Sequence, residues 1–200
     1  MKFMSEQEKQ QLINQTSVKY GEFLTALGFD WENDSNMKET PKRVSKMMVE
    51  EICRGLFTPE PRITTFKNLD TYDGMVFQGD IEVKSLCSHH MLPFFGKCHL
   101  AYIPGKSNKI IGLSKLNRIV EYFSRRPQVQ ENLTMQIHNY LQKILGDSQG
   151  IAIVIEAKHT CVAHRGIGQN STMKTSKLSG VFLDNSDKSR DEFYRFISSL

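Results

Sequence analysis

The stretch MVFQGDIEVKSL at residues 75–86 carries apolar residues in roughly alternating order, and KCHLAYI at residues 97–103 repeats the pattern. Alternation with a period of two is typical of half-buried strands, whose apolar side chains all face one side of a sheet. A short, strongly apolar strand is predicted at residues 151–155 and a last strand at residues 178–182. These segments predict an antiparallel sheet at the centre of the fold.

Helices are predicted on both sides of these strands. A capping box over residues 5–8 starts a helix that runs to about Gly28. Thr40 is predicted as an N-cap followed by proline at the first helical position, and Gly55 as the end of that helix. Apolar stripes over residues 116–123 and 129–144 predict two further helices, and residues 187–200 predict a last one.

The order of these elements indicates the fold class. Helices, strands, two helices, strands and a helix follow one another, which predicts an α+β domain with helices on one face of the sheet. Residues 105–108 are predicted to be a hairpin turn into Ile110. Residues 1–60 are predicted as an N-terminal helical region and residues 61–200 as the catalytic region, in one compact chain with a single catalytic domain.

The composition of the 200 residues is that of an ordinary soluble domain, with 39% hydrophobic and 24% charged residues and a net charge of +4. No apolar run approaches the roughly 18 residues of a membrane span. Four cysteines in a chain of this length do not suggest a disulfide framework, so a reducing cytoplasm is expected. Cys53 and Cys98 are interpreted as packing residues.

Cysteine and histidine cluster at two places, CSHH at residues 87–90 and HTC at residues 159–161. Catalytic zinc usually has three protein ligands of the thiolate and imidazole type, with water at the fourth position. Cys87, His90 and Cys161 supply that number and leave His89 and His159 beside the metal. The alternative is a buried cysteine next to a surface histidine, which needs no metal.

The segment GLSKLNR at residues 112–118 lies where a strand becomes a helix. Ser114 is predicted to cap that helix, whose free amides together with Lys115 and Arg118 suit a phosphate group. A solvated basic helix surface would have the same sequence. Glu131 is in the first turn of the next helix, where the helix dipole favours a carboxylate whether or not it has a function. Its carboxylate would also suit hydrogen bonds from a guanine edge.

Taken together, these segments resemble the GTP cyclohydrolase I family over residues 37–182. The matching pieces are ETPKRV at 39–44, CSHHMLPFFGK at 87–97, AYIP at 101–104, IGLSKLNR at 111–118, RRPQVQE at 125–131, HTC at 159–161, RG at 165–166, TS at 175–176 and GVF at 180–182. The resemblance implies a tunnelling fold (T-fold), in which two long helices back an antiparallel sheet. It also implies a toroidal homodecamer built from two pentamers, with active sites where subunits meet.

The resemblance further implies a reaction. GTP would lose its C8–N9 bond by hydrolysis, release formate and rearrange to 7,8-dihydroneopterin triphosphate, with no nucleic acid or membrane as a partner. Zinc would be held by Cys87, His90 and Cys161. Catalytic roles would fall to His89, His159 and Ser114. Guanine would be anchored by Glu131, helped by backbone near Val129 and Gln130, and the triphosphate would be bound by Ser114, Lys115, Arg118 and Arg165, with Arg43 and Lys46 from a neighbouring subunit.

Two departures from the family pattern are visible. Ser88 stands where the family usually has glutamate, so metal affinity or rate is open to change. Ala163 and His164 replace residues that are usually bulky and apolar.

Two alternative functions remain. One is the related nitrile reductase of queuosine synthesis, faintly suggested by EVKSL at residues 82–86. The other is a non-enzymatic zinc-stabilised interaction or nucleic-acid-binding domain.

Overall fold

The structure is a computed structural model that describes residues 3–107, 109–184 and 188–200. The chain forms two compact units, Met1–Glu60 and Pro61–Leu200. The predictions that fall on Asn108 and on residues 185–187 lie outside the described residues. Among the described residues, no helix has both the length and the apolar character needed to cross a membrane.

The first unit is helical. Helix α1, Glu6–Ala26, begins with the predicted capping box, in which the Glu8 amide donates to Ser5 Oγ and the Ser5 amide donates to the Glu8 carboxylate at 2.7 Å. Helix α2, Thr40–Met47, has Glu39 at its N-cap, so the prediction of Thr40 as the cap is wrong by one residue.

The predicted end of this second helix is also wrong. A π-helix, Met48–Ile52, follows α2, and the short helix α3, Arg54–Phe57, contains Gly55. The Cys53 amide donates to the carbonyl of Met48, five residues earlier, which is the hydrogen bond of a π-turn. The helix is therefore interrupted at Cys53 by its own backbone geometry and not by glycine.

The second unit is built on a sheet. Its elements are β1 Thr65–Lys67, β2 Val76–Cys87, β3 Pro93–Ile103, β4 Lys109–Ile111, α4 Leu113–Ser124, β5 Pro127–Gln128, α5 Gln130–Leu145, β6 Gly150–His159, α6 Thr160–Ala163, β7 Thr172–Gly180 and α7 Ser189–Ser198. The five-stranded sheet has the order β5-β2-β3-β6-β7, antiparallel throughout except for the short β5, which runs parallel to β2. This confirms the predicted α+β class.

The hairpin predicted at residues 105–108 is wrong. Strand β4 pairs with β1 in a separate two-stranded sheet and not with β3. The backbone of Gly105 lies so close to the Asp147 carbonyl that a side chain would not fit, and the Ile103 carbonyl accepts from the Gln149 amide. The chain after β3 is therefore held against the segment that leads into β6.

Helices cover both faces of the sheet. Apolar residues of α4 and α5 pack with Phe94, Cys98 and Leu100 of β3 in the main core, as expected for two long helices that back the sheet. Helix α7 packs on the opposite face, where Phe193 contacts a second cluster. The prediction of helices on one face fails for α7, because β3 and β6 also carry apolar residues on their other side, such as Ala101 and Val154.

Candidate metal centre and substrate cavity

Two strand ends bring the cysteines and histidines together. Strand β2 ends at Cys87, and a tight turn with Met91 at φ +53° leads into β3. Strand β6 ends at His159, which is the register partner of Phe94 in β3. Because β3 lies between β2 and β6, the turn after Cys87 and the end of β6 lie side by side. The strand does not continue to Cys161; the helical turn α6 carries that residue into the site instead.

The donor atoms of Cys87, His90 and Cys161 all lie within 4.8 Å of one another. Both cysteines are buried and His90 is exposed. Burial raises the pKa of the Cys161 thiol, and the adjacent Cys87 raises it further, whereas Arg165 acts in the opposite direction. Two buried thiols lose their protons more readily beside a cation, so this group is suited to hold a metal ion.

A cavity of about 340 Å³ adjoins this cluster. Its walls come from the β2 and β6 ends, the start of α5 and the start of β7. They are formed by Cys87, His89, Val129, Gln130, Glu131, His159, Cys161, Val162, Ser171, Thr172 and Met173. The volume falls within the range of small-molecule sites. The cavity therefore combines the two cysteines of the candidate metal group with a carboxylate and two histidines.

His159 is fixed on two sides. Its ring stacks on Phe94 with centroids 4.5 Å apart and an interplanar angle of 11°. Its Nε2 lies 2.8 Å from the side-chain oxygen of Gln130. Burial lowers the pKa of His159, and the nearby Glu131 carboxylate opposes this shift. The ring is thus held rigidly at the cavity wall in an environment that favours its neutral form.

Glu131 is an exposed residue in the first turn of α5, where Val129 is the N-cap. The helix dipole favours a carboxylate there. Since Glu131 also lines the cavity, the carboxylate can accept hydrogen bonds from a ligand that enters it. His89 lies on the same wall, with its Nδ1 3.9 Å from Cys87 Sγ.

The residues predicted for phosphate binding do not line this cavity. Helix α4 has Gly112 at its N-cap, with Ser114 inside the first turn, so the prediction that Ser114 caps the helix is wrong. The reason is that Gly112 already has the extended backbone of an N-cap, and its carbonyl accepts from the Lys115 amide at 2.8 Å. Arg118 lines a separate cavity of about 430 Å³ beside β2, together with Lys84 and Arg125.

Arg165, Arg43 and Lys46, the other predicted cations, are not among the residues that line the 340 Å³ cavity. Arg165 is exposed and follows α6, close enough for its charge to act on Cys161. Arg43 and Lys46 belong to α2 in the first unit, where Lys46 lies 3.8 Å from Glu50. Within the second unit, Arg118 therefore lines a different cavity from the metal and guanine residues.

Several cavity residues escaped sequence reasoning. Phe94 in β3 stacks on His159 through the pairing of β3 with β6, and Ser171, Thr172 and Met173 reach the cavity where β7 begins its pairing with β6. The side chain of Gln130 is buried and bonded to His159, although only its backbone was considered. Ser88 is exposed, with its amide donating to the Gln128 carbonyl at 3.2 Å, and His164 is exposed after α6.

Comparison with known proteins identifies the family. The family model described as GTP cyclohydrolase I matches residues 16–198. GTP cyclohydrolase 1 of Sulfurihydrogenibium sp. (strain YO3AOP1) is 49% identical over 179 residues, 88% of this chain and 90% of that protein. GTP cyclohydrolase 1 of Flavobacterium johnsoniae is 49% identical over 176 residues, 87% of this chain and 76% of that protein. The crystal structure of the archaeosine synthase QueF-Like in the apo form has a TM-score of 0.45 and 13% identity, over 55% of this chain and 97% of that chain. The family match and the two relatives show that the chain belongs to the GTP cyclohydrolase I family.

Proposed function

We propose that this hydrolase is a zinc-dependent GTP cyclohydrolase I. It hydrolyses the C8–N9 bond of GTP, releases formate and rearranges the product to 7,8-dihydroneopterin triphosphate, the first step towards folates, other pterins or deazapurines. The observation that carries this proposal is the Cys87–His90–Cys161 group, whose two cysteines line a cavity together with Glu131 and His159. Residues 61–200 form the catalytic region and residues 1–60 the N-terminal helical region.

Cys87, His90 and Cys161 fit zinc, because two thiolates and an imidazole are its usual ligands. Three protein ligands are typical of catalytic zinc, whereas structural zinc normally has four. When bound, zinc supplies Lewis-acid activation of water near neutral pH. The donor set therefore favours an enzyme over the zinc-stabilised binding domain, and the nitrile reductase reading leaves Cys161 without a role.

The protonation steps are assigned to the two histidines of the cavity. His159 is half-buried with its ring stacked on Phe94, and it donates a proton to N7 of the purine, which makes C8 electrophilic. His89 is exposed beside Cys87 and carries a proton in the second hydrolysis, which releases formate. Imidazole suits both steps because its unperturbed pKa of about 6.5 allows donation and acceptance.

Glu131 anchors the guanine. Its carboxylate accepts from ring N1–H and the 2-amino group, while the backbone near Val129 and Gln130 faces the same base. Replacement of Glu131 by glutamine should raise KM for GTP by roughly 10- to 100-fold, because one charge-assisted acceptor becomes an N–H donor. Inosine triphosphate lacks the 2-amino group, so its KM should change less. Steady-state kinetics with both nucleotides tests this, and unchanged Michaelis parameters for GTP would refute the anchoring role.

The triphosphate is bound by Ser114, Lys115, Arg118 and Arg165, and Ser114 also acts in catalysis beside the ribose. Arg43 and Lys46 add positive charge from a neighbouring subunit. Because Arg118 lines a different cavity from Glu131, we assign the two halves of each site to different subunits of a ring. The assembly is the homodecamer of two pentamers that the family implies.

Free sheet edges support this assembly. Strand β5 pairs with β2 only at Leu86 and Cys87, so among the described residues the earlier part of β2 and the outer side of β7 have no strand partner. Strands β2, β3, β6 and β7 alternate in direction. Strand β7 of one copy can therefore pair antiparallel with β2 of the next, which removes both edges and closes a ring.

Charge supports a particular register for this contact. Glu82, Lys97, Glu156 and Lys174 are successive register partners across the four strands. Continuing the alternation sets Glu82 of the next copy opposite Lys174, and opposite charges stabilise such cross-strand pairs. Thr172 of the first cavity then lies beside Lys84 of the second, so the cavities with Glu131 and with Arg118 meet.

The function is tested by incubating the zinc-loaded protein with GTP. Formate and, after oxidation, a fluorescent pterin should both appear, and a chelator should abolish both. Formate without pterin would place the failure in the rearrangement of the ribose. Neither product from folded, zinc-loaded protein would contradict the proposed function and would indicate that Ser88 or His164 marks a changed substrate.

A further inference from the structure

We propose that Gln130, Thr134 and Thr175 form a positioning unit that fixes which ring nitrogen of His159 meets the substrate. Nε2 is held as a hydrogen-bond donor to Gln130, and Nδ1 is the nitrogen that faces the reacting purine. The inference rests on the proposed function for its kinetic consequences, but the orientation of the ring stands on geometry alone.

The orientation of the Gln130 amide follows from its neighbours. The side chain is 1% exposed. Its nitrogen lies 3.0 Å from the Ile155 carbonyl oxygen, 3.2 Å from the Met173 carbonyl oxygen and 3.1 Å from Thr175 Oγ1. Carbonyl oxygens only accept hydrogen bonds, so the reversed amide would set oxygen against oxygen in a buried place. The oxygen of Gln130 must therefore be the atom that faces His159.

Two hydroxyl groups close the network. Thr134 Oγ1 donates to the Gln130 carbonyl at 2.9 Å and lies 2.7 Å from Thr175 Oγ1. Since the Thr134 proton is used on the carbonyl, Thr175 donates to Thr134 and accepts from the Gln130 amide. Each hydroxyl proton therefore has one acceptor. The cycle of hydrogen bonds links α5 to β7, and the contact of the Gln130 amide with the Ile155 carbonyl links both to β6. Such fully satisfied buried networks are rigid.

The consequence falls on His159. Gln130 Oε1 can only accept, so Nε2 at 2.8 Å carries a hydrogen. Stacking on Phe94 holds the plane of the ring. A neutral imidazole with Nε2–H has its lone pair on Nδ1, so Nδ1 is the nitrogen that takes up a proton and then passes it to N7 of the purine. Gln130 acts through His159 and is thus a positioning residue, in addition to the backbone contact assigned above.

Three variants test this unit. Gln130→Leu should lower kcat by roughly 100-fold, the usual contribution of a general acid, with KM for GTP changed by less than about threefold. Thr175→Val should lower kcat by roughly 10-fold by breaking the hydroxyl cycle that braces the Gln130 amide between α5 and β7, and Thr175→Ser should restore it because the hydroxyl remains. Zinc content is measured in each variant and should equal that of the wild type.

Ser179→Ala is the matched control. Ser179 Oγ lies 2.9 Å from Nε2 of the buried His138, so this change removes a histidine hydrogen bond between the same two elements, α5 and β7, away from the cavity. It should leave kcat within about twofold, since it leaves the catalytic groups untouched. An equal loss of kcat in this control would mean that α5–β7 packing, and not positioning, causes the effect, which would overturn the proposal.

A second readout does not depend on turnover. ¹⁵N NMR of ring-labelled histidine distinguishes a protonated from an unprotonated ring nitrogen, and the signals of His159 are assigned with a His159→Gln variant. The wild type should show Nε2 protonated and Nδ1 free, and Gln130→Leu should lose this preference. A wild-type ring with Nδ1 protonated, or full kcat in Gln130→Leu, would overturn the proposal. Correct tautomer without GTP turnover would instead contradict only the proposed function.

Discussion

Replacing Cys161 with serine is expected to remove nearly all bound metal and nearly all GTP turnover. The thiol of Cys161 is one of only three donors in the group, and it is buried next to Cys87. A serine hydroxyl does not ionise near neutral pH, so the site keeps one thiolate and one exposed imidazole. Two ligands do not hold zinc firmly, and metal content should fall from about one ion per chain to less than about a tenth.

Cys53→Ser is the matched control for this prediction. Cys53 is also buried, and burial also raises the pKa of its thiol, but it belongs to the first unit and to no group of metal-binding side chains among the described residues. Metal analysis after dialysis and GTP turnover should therefore give wild-type values for Cys53→Ser. Full metal content and activity in Cys161→Ser would show that the cluster is not the metal site.

Local signals in the sequence predicted much of the fold. The Ser5–Glu8 capping box is complete within four residues, so the start of α1 was predictable. Gly146 ends α5 with φ +68°, a backbone conformation that glycine adopts without strain. The alternation of apolar residues in β2 and β3 predicted both segments as strands, although β3 is apolar on both faces.

Features set by distant contacts could not be predicted in this way. The π-helix at Met48–Ile52 depends on backbone hydrogen bonds that leave no sequence pattern. Strand β4 pairs with β1 across some forty intervening residues, and local turn residues suggested a nearer partner. Helix α7 covers the second face of the sheet because both faces of β6 are apolar. A short apolar run in the sequence does not show which element will cover each face.

The candidate site shows the same division. Residue types and spacing, together with the family resemblance, predicted Cys87, His90 and Cys161 as one metal-binding group. In the structure their donor atoms lie within 4.8 Å of one another. The orientation of the Gln130 side chain depends on carbonyl groups of β6 and β7, whose approach to α5 no short motif encodes. Every residue type has the same backbone carbonyl, so the sequence does not show which carbonyl groups orient the Gln130 amide.

Mixing two inactive variants is expected to restore activity if each site is shared between subunits. His159→Ala disables the half-site with Glu131, and Arg118→Ala disables the half-site beside β2. In a ring assembled at random from equal amounts of both, about one site in four combines two intact halves. Subunits dissociated and reassembled together should therefore recover about a quarter of wild-type GTP turnover, although each variant alone is nearly inactive.

The same experiment with two variants of one half-site supplies the control. His159 and Glu131 line the same cavity of one chain, so His159→Ala mixed with Glu131→Gln leaves every site with a damaged half of the same kind. Turnover of this mixture should not exceed that of the more active of the two variants assayed alone at equal subunit concentration. Native mass spectrometry verifies that mixed rings have formed in both experiments. Mixed rings of His159→Ala and Arg118→Ala without recovery would place both halves in one chain, and would require that α4 and the β2–β6 end approach each other within a subunit.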